Sequence, residues 1–268
     1  MAGSITVISL SGIYEHEGFH RNREGLRFID CTDVRGTNGY CDAQAKEVLR
    51  ERLGESHPLH FIDHGNYHYL SKLYTDMITE PFHLVVFDHH TDMQEPAFGG
   101  LLSCGSWVKE VMETNEYVEG VTIVGAGCGA ESESWGTGTM THFKNHVGQV
   151  SVSAEKRVIV PVPADSLSVP SCHLSAWPWE MAGAVSSPIY ISIDKDVLSP
   201  TEVLTNWDQG EMTADALFAQ LDELCAHHRI LGIDVCGDAA PDMDPSILKR
   251  AVSMNDALNE RFLNWYMT

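Results

Sequence analysis

Two short motifs place acidic and imidazole side chains directly after apolar segments. Residues 84–87 run into the motif DHHTD at 88–92, and residues 189–193 run into DKD at 194–196. In an extended chain, residues at positions i, i+2 and i+4 lie on the same face, so alternate members of each motif share a direction. The side chains aligned in this way are Asp88, His90, Asp92, Asp194 and Asp196.

Four aspartates gathered beside apolar strands require an explanation in terms of charge. Their carboxylates repel one another, and desolvating each one costs several kcal/mol, so they must take up protons or bind cations. Four negative charges balance two divalent ions, and oxygen ligands with imidazoles suit Mn²⁺, with Zn²⁺, Fe²⁺ or Co²⁺ as alternatives. Two such ions lower the pKa of a water held between them and so generate a hydroxide nucleophile. Aspartate is also common as a turn residue or a helix cap, but two such motifs together favour a metal-dependent hydrolase.

The elements around these motifs alternate between short apolar runs and longer amphipathic runs. Strands are predicted at 5–10, 60–62, 84–87, 121–124, 158–162, 189–193 and 230–235, and helices at 42–53, 70–78, 107–113, 214–227 and 244–265. This alternation indicates an α/β fold, with a mainly parallel sheet covered by helices on both faces. Sites in such sheets form at the carboxyl ends of the strands. Neither a linker nor a repeat interrupts the pattern, so we expect a single domain over 1–268, with Glu131–His146 as an active-site loop.

Composition limits the classes of partner. The chain has 268 residues, 38 acidic and 17 basic, and a formal net charge of −21. Nucleic acid and anionic membranes are therefore poor partners, whereas metal ions and small cationic substrates are favoured. The N-terminus lacks the features of a signal peptide, no apolar run approaches about 18 residues, and the seven cysteines form no CxxC pair. We expect a cytoplasmic protein with reduced thiols.

The motifs resemble those of the ureohydrolases, the family of arginase, agmatinase and formiminoglutamase. Residues 88–92 match the family motif DAHxD, and 192–200 match SxDxDxxDP with Ser199 in place of its last aspartate. Residues 65–69 resemble GGDHS and add His68. The resemblance implies a three-layer α/β/α sandwich with a sheet of roughly eight strands, a homo-oligomer, and two Mn²⁺ ions per chain. The implied metal ligands are His68, Asp88, His90, Asp92, Asp194 and Asp196, with Asp88 and Asp194 bridging.

The sequence departs from the family pattern at the positions that contact the substrate. Cys104 stands where the family has a histidine that shuttles protons, and Gly237 stands where it has a glutamate that contacts the guanidinium group. Asp238 is one residue later and would need a β-bulge to reach the site. Trp207 follows the third motif, where it could stack on a planar substrate. We therefore predict Asp92, Cys104 and Asp238 as catalytic residues, and Trp207 and Asp238 as substrate-binding residues.

These inferences predict a dinuclear manganese hydrolase that attacks a C–N bond, of the linear amidine type, in a guanidino or amidino small molecule. The nucleophile would be a hydroxide that bridges the two metals. A second interpretation is a non-catalytic or regulatory metal- or ligand-binding protein descended from a ureohydrolase, which the changes at Cys104 and Gly237 favour. A third is a metal-dependent deacetylase of related fold, which would hold a single zinc ion.

Overall fold

A nine-stranded sheet organises the part of the chain that the structure, a computed structural model, describes. That part comprises residues 5–55, 58–96, 99–126, 150–152, 157–162 and 187–268. The described residues form eleven strands: β1 (Ile5–Ser9), β2 (Leu26–Asp30), β3 (Tyr40–Cys41), β4 (Leu59–His64), β5 (Phe82–Phe87), β6 (Leu102–Ser103), β7 (Val118–Val124), β8 (Val150–Val152), β9 (Arg157–Val162), β10 (Ile189–Asp194) and β11 (Ile230–Asp238). The sheet has the order β2-β1-β4-β11-β10-β5-β7-β9-β8, while β3 and β6 form a separate antiparallel pair.

Every neighbouring pair in the large sheet is parallel except β8 and β9, so eight parallel strands carry one antiparallel edge strand. The helices of the described residues are α1 (Ala43–Leu53), α2 (Leu70–Thr75), α3 (Trp107–Thr114), α4 (Ala214–His227) and α5 (Pro245–Met267). Helices α1, α2 and α3 pack on one face of the sheet, and α4 and α5 pack on the other. The predicted three-layer α/β/α sandwich with a mainly parallel sheet is confirmed.

The central strands are buried on both faces, as parallel strands covered by helices must be. In β5, Val85 and Phe87 enter the core beneath α4 and α5, whereas Leu84 and Val86 enter the core beneath α1, α2 and α3. This alternation explains why the strand reads as a continuous apolar run. It also carries the chain directly from the core to the polar residues that follow Phe87.

Capping residues set the helix boundaries that the sequence predicts best. The Asp42 side chain accepts a hydrogen bond from Ala45 N at the start of α1, and Gly54 ends that helix with a positive φ of 64°. The Thr213 side chain caps α4 in the same way, by accepting from Ala216 N. Both helices occupy the predicted ranges to within one residue.

Some elements differ from the sequence prediction. Strand β2 was not predicted, because it lies at the edge of the sheet and three of its five residues are exposed, which leaves little apolar pattern. The predicted turn after β4 is a 3-10 turn at Gly65–Tyr67. The predicted loop Glu131–His146 lies outside the described residues, and the extent of the domain stays a prediction. None of the helices in the described ranges combines the length and apolarity needed to cross a membrane.

Candidate metal centre

Three strands deliver the predicted ligands to one edge of the sheet. Strands β5 and β10 are parallel neighbours, so their carboxyl ends lie side by side. Asp88 directly follows β5, Asp194 is the last residue of β10, and Asp196 lies in the 3-10 turn after it. His68 arrives from β4 through the turn at Gly65–Tyr67.

The ligand atoms form two groups that share Asp88. In the first group, His68 Nδ1 lies 3.2 Å from Asp88 Oδ2 and 3.0 Å from Asp92 Oδ2. In the second group, His90 Nδ1 lies 2.9 Å from Asp196 Oδ2 and 3.5 Å from Asp88 Oδ1. The two oxygens of Asp88 thus belong to different groups, as its predicted bridging role would require.

Asp194, the second predicted bridging ligand, lies beside the first group. Its Oδ2 is 3.5 Å from His68 Nδ1, and its Oδ1 accepts a hydrogen bond of 3.0 Å from Asp196 N. The structure therefore brings all six predicted side chains to one place. Their role as metal ligands stays a prediction.

The imidazole of His68 tests whether these residues suit a metal ion. Its Nδ1 is buried and has no hydrogen-bond partner, although three carboxylates face it at 3.0–3.5 Å. Its Nε2 is 2.9 Å from Ser192 Oγ, which can accept the Nε2 proton and leave the Nδ1 lone pair directed at the carboxylates. A nitrogen lone pair facing carboxylate oxygens needs a proton or a cation between them. The donor set therefore fits a divalent ion.

The electrostatics of the cluster lead to the same conclusion. Burial and the neighbouring Asp196 raise the pKa of Asp194 well above its ordinary value, and burial with Asp88 raises the pKa of Asp196 to about 7. Hydrogen bonds to Asp196 and Asp88 raise the pKa of His90 to about 11. For His68, burial alone would lower the pKa, but Asp88 and Asp92 outweigh it and raise the pKa. In the absence of metal, the cluster therefore gathers protons, which divalent ions would displace.

Two residues that the sequence did not single out hold the ligands in place. The Trp107 indole Nε1 donates a hydrogen bond of 2.6 Å to Asp92 Oδ2. Ser192 contacts His68, as described, and also lies 2.9 Å from Ser71 Oγ. Strand alternation could have identified Ser192, which lies two residues before Asp194 on β10. No spacing rule indicates Trp107, because tertiary packing alone brings it to Asp92.

Cys104 lies half-buried after β6, with its backbone N donating to Gly39 O at 3.0 Å. Burial and the nearby Asp92 raise the pKa of its thiol to about 12. The thiol therefore holds its proton at neutral pH in this arrangement. Its role as a proton shuttle stays a prediction.

Asp238 is wholly buried at the end of β11, and donors occupy both of its carboxylate oxygens. Oδ1 accepts from Lys195 Nζ at 2.6 Å and from Asn259 Nδ2 at 2.9 Å, and Oδ2 accepts from the Tyr14 hydroxyl at 2.9 Å. A substrate could reach Asp238 only by breaking this network. Its predicted catalytic and substrate-binding roles stay predictions, and the contacts observed are those of an internal ion pair.

Gly237 has no room for a side chain. Its φ is +92°, and a Cβ atom built on it would lie 2.3 Å from Asp194 Oδ1 and 2.7 Å from Lys195 N. Both distances are below any ordinary contact. Glycine is therefore required here by the position of a predicted metal ligand.

Trp207 is a partly exposed side chain next to the ligand cluster. Its side chain is 45% exposed, and its ring centroid lies 5.7 Å from that of His90 in an edge-to-face arrangement. Its Nε1 donates to Asn66 Oδ1 at 2.9 Å, and Asn206 Nδ2 donates to the same oxygen at 2.9 Å. A Cβ on Gly65 would lie 2.7 Å from Trp207 Cδ1 and 3.2 Å from Asp194 Oδ2, so the indole stands close to the ligands.

Comparison with known proteins places this geometry in a structural class. No family model matches the chain. An uncharacterized protein of Thermotoga maritima is 25% identical over 246 residues, which cover 88% of this chain and 80% of that protein. Its description assigns no activity, so the sequence relative carries no functional argument.

Solved structures reveal the fold. Proclavaminate amidino hydrolase from Streptomyces clavuligerus aligns with a TM-score of 0.62 and 14% identity, over 96% of this chain and 91% of that one. Formimidoylglutamase from Bacillus subtilis aligns with a TM-score of 0.60 and 14% identity, over 96% of this chain and 85% of that one. Arginase from Medicago truncatula aligns with a TM-score of 0.54 and 15% identity, over 96% of this chain and 84% of that one. The fold expected from the motifs is confirmed, and the low identities fit a divergent sequence.

Proposed function

We propose that this chain, whose fold is that of the ureohydrolases, is a hydrolase that holds two divalent metal ions and cleaves a C–N bond. The observation that carries the proposal is the division of the Asp88 oxygens between two ligand groups, one of which contains the unpartnered His68 Nδ1. Mn²⁺ suits this mixture of carboxylates and imidazoles. The bound ions would supply Lewis acidity and lower the pKa of a water molecule, so that it attacks at neutral pH.

The chain's own residues orient the ligands for this chemistry. Ser192 Oγ lies 2.9 Å from His68 Nε2 and can accept its proton, which would select the tautomer whose Nδ1 is free to ligate. The indole of Trp107 fixes Asp92, and the backbone N of His89 donates to Asp196 Oδ1 at 3.0 Å. Each contact restricts the movement of a predicted ligand. Rigid ligands of this kind require little reorganisation when the reaction begins.

The substrate that we propose is a small guanidino or amidino compound. The structural neighbours include an amidino hydrolase, a formimidoylglutamase and an arginase, and we infer a C–N bond of the same kind for this chain. The exposed face of Trp207 beside His90 could stack on a planar cation, an interaction of about 0.5–2 kcal/mol. We further propose a cytoplasmic homo-oligomer, whose size light scattering would measure.

Metal analysis of protein purified without chelator tests the first half of the proposal. We expect about two transition-metal ions per chain by mass spectrometry, and loss of both in Asp88→Asn because the shared carboxylate is removed. Asp234→Asn is the matched control, since this equally buried aspartate on β11 bonds His60 and Tyr190 outside the cluster. Wild-type protein that is folded but binds no divalent ion would refute the proposal.

A substrate panel tests the second half. The metal-loaded protein is incubated with guanidino and amidino compounds, and released urea, ammonia or formamide is measured. We expect turnover with at least one compound, its loss with EDTA, and its return when Mn²⁺ is added back. In Trp207→Ala we expect a higher KM with little change in kcat, because the indole binds the substrate without touching the reacting atoms.

A second candidate function is metal binding without catalysis. It is favoured by Gly237, which leaves no side chain at the position expected to anchor a guanidinium group, and by Asp238, which is held by Lys195. Two bound ions together with no turnover across the panel would support this candidate. Chelator-sensitive release of product from any compound would exclude it.

A further inference from the structure

A buried ammonium group belongs to the turn that carries two of the predicted metal ligands. Lys195 separates the predicted ligands Asp194 and Asp196 in sequence, and its side chain is wholly buried. Its Nζ donates to Asp238 Oδ1 at 2.6 Å, to Asn255 Oδ1 at 2.7 Å and to Asn259 Oδ1 at 3.1 Å. Three donors thus meet three acceptors, and the ammonium is fully satisfied.

The acceptors connect this lysine to distant parts of the fold. Asn255 and Asn259 both lie on α5, and Asn255 Nδ2 also donates to Leu204 O at 2.9 Å, in the loop that leads to Trp207. Asn259 Nδ2 donates to Glu17 Oε2 at 2.9 Å, in the N-terminal segment. One hydrogen-bond network therefore connects the turn at residues 194–196, called the ligand turn, with the loop before Trp207 and with helix α5.

We propose that Lys195 is a positioning residue that fixes the backbone between Asp194 and Asp196 and thereby sets the affinity of the site for divalent ions. The inference rests on the proposed function, since it assumes that these aspartates bind metal. The charges of Lys195 and Asp238 cancel, so the pair adds little net field at the cluster. Its effect is therefore geometric: moving the 194–196 turn requires breaking three hydrogen bonds inside the protein.

The test must separate positioning from folding. Lys195→Met alone would leave Asp238 buried without its partner, which destabilises a protein strongly. The double variant Lys195→Met/Asp238→Asn removes both charges, so no unpaired charge stays buried, and the amide oxygen at position 238 can still accept from Tyr14 and Asn259. The matched control is Arg23→Met/Glu260→Gln, which removes a half-buried pair between the N-terminal segment and α5 that does not touch the ligand turn.

Binding of Mn²⁺ is measured by isothermal titration calorimetry, and folding by circular dichroism and thermal melting in EDTA. We expect the double variant to keep its fold and to bind metal about 10–100-fold more weakly, whereas the control binds as the wild type does. A folded double variant with unchanged affinity would overturn the inference and leave the proposed function intact.

The remaining outcomes are also decisive. If the double variant does not fold, Asn255→Ala settles the question, because it keeps the ion pair but removes one acceptor of Lys195. Weaker Mn²⁺ binding in that variant supports the inference, and unchanged binding overturns it. Wild-type protein that binds no metal would refute the proposed function, and the inference would fall with it.

Discussion

Replacing Gly237 with alanine should destabilise the fold and weaken metal binding together. The new Cβ would lie 2.3 Å from Asp194 Oδ1 and 2.7 Å from Lys195 N, and neither neighbour can withdraw easily. Asp194 is held by Asp196 N, and Lys195 N belongs to the backbone of the ligand turn. The variant must therefore displace a predicted metal ligand in order to fold.

Two physical terms give the magnitude. A side chain in the left-handed region costs about 1–2 kcal/mol, and the φ of Gly237 is +92°. Forcing additional atoms into a close-packed interior costs about 1–3 kcal/mol. We expect the variant to lose about 2–5 kcal/mol of unfolding free energy.

Urea denaturation in EDTA measures this loss without a contribution from bound ions. Gly25→Ala is the control, because Gly25 has a similar φ of +77° but nothing within 4 Å of its Cβ position, so it reports the backbone term alone. The difference between the two variants isolates the steric term. If Gly237→Ala is no less stable than Gly25→Ala and binds Mn²⁺ normally, the close approach of Asp194 to Gly237 is refuted.

Three further predictions follow from individual contacts. Trp107→Phe removes the donor to Asp92 and should weaken metal binding about 10-fold, measured by calorimetry. His68→Ala should lower the bound metal by at least one ion per chain, measured by mass spectrometry. Burial lowers the pKa of His83 to about 4. Between pH 6.5 and pH 4, His83 therefore binds a proton in the unfolded chain but not in the folded chain, so the free energy of unfolding decreases as the pH falls. In His83→Gln, whose amide is placed to bond Thr122, this pH-dependent loss should shrink by about 2 kcal/mol between pH 7 and pH 4.5, measured by urea denaturation.

Matched substitutions separate these effects from general damage. Trp265→Phe removes an indole donor from Asp222 far from the cluster and should leave metal binding unchanged. His227→Gln replaces an exposed histidine outside the core and is the matched control for the His83 variant. Equal metal loss in both tryptophan variants, or equal flattening in both histidine variants, would contradict the assigned contacts.

The fold and the ligand cluster were predictable because they follow from local patterns. Strand β5 is one apolar run, and the aspartates and histidine after it alternate by strand geometry. Parallel pairing of β5 with β10 then brings the two motifs together without further information. His68 needed the resemblance, because a single histidine after a turn carries no signal of its own.

The surroundings of the cluster were not predictable, because they depend on tertiary packing. Lysine side chains are rarely fully buried, yet α5 supplies the acceptors that allow Lys195 to be buried. The same network holds both carboxylate oxygens of Asp238, and the sequence indicates none of these contacts. Spacing along the chain contains no information about which helix will pack behind a strand end.

The division of the site among distant strands has a consequence for folding kinetics. Asp88 and Asp194 become neighbours only when β5 pairs with β10, across more than a hundred intervening residues. Such non-local parallel pairing is slow, because loop-closure entropy is lost before any contact is gained. The nascent chain therefore offers a metal ion no complete coordination shell, and an ion bound by this cluster would stabilise the finished protein without acting as a template for its folding.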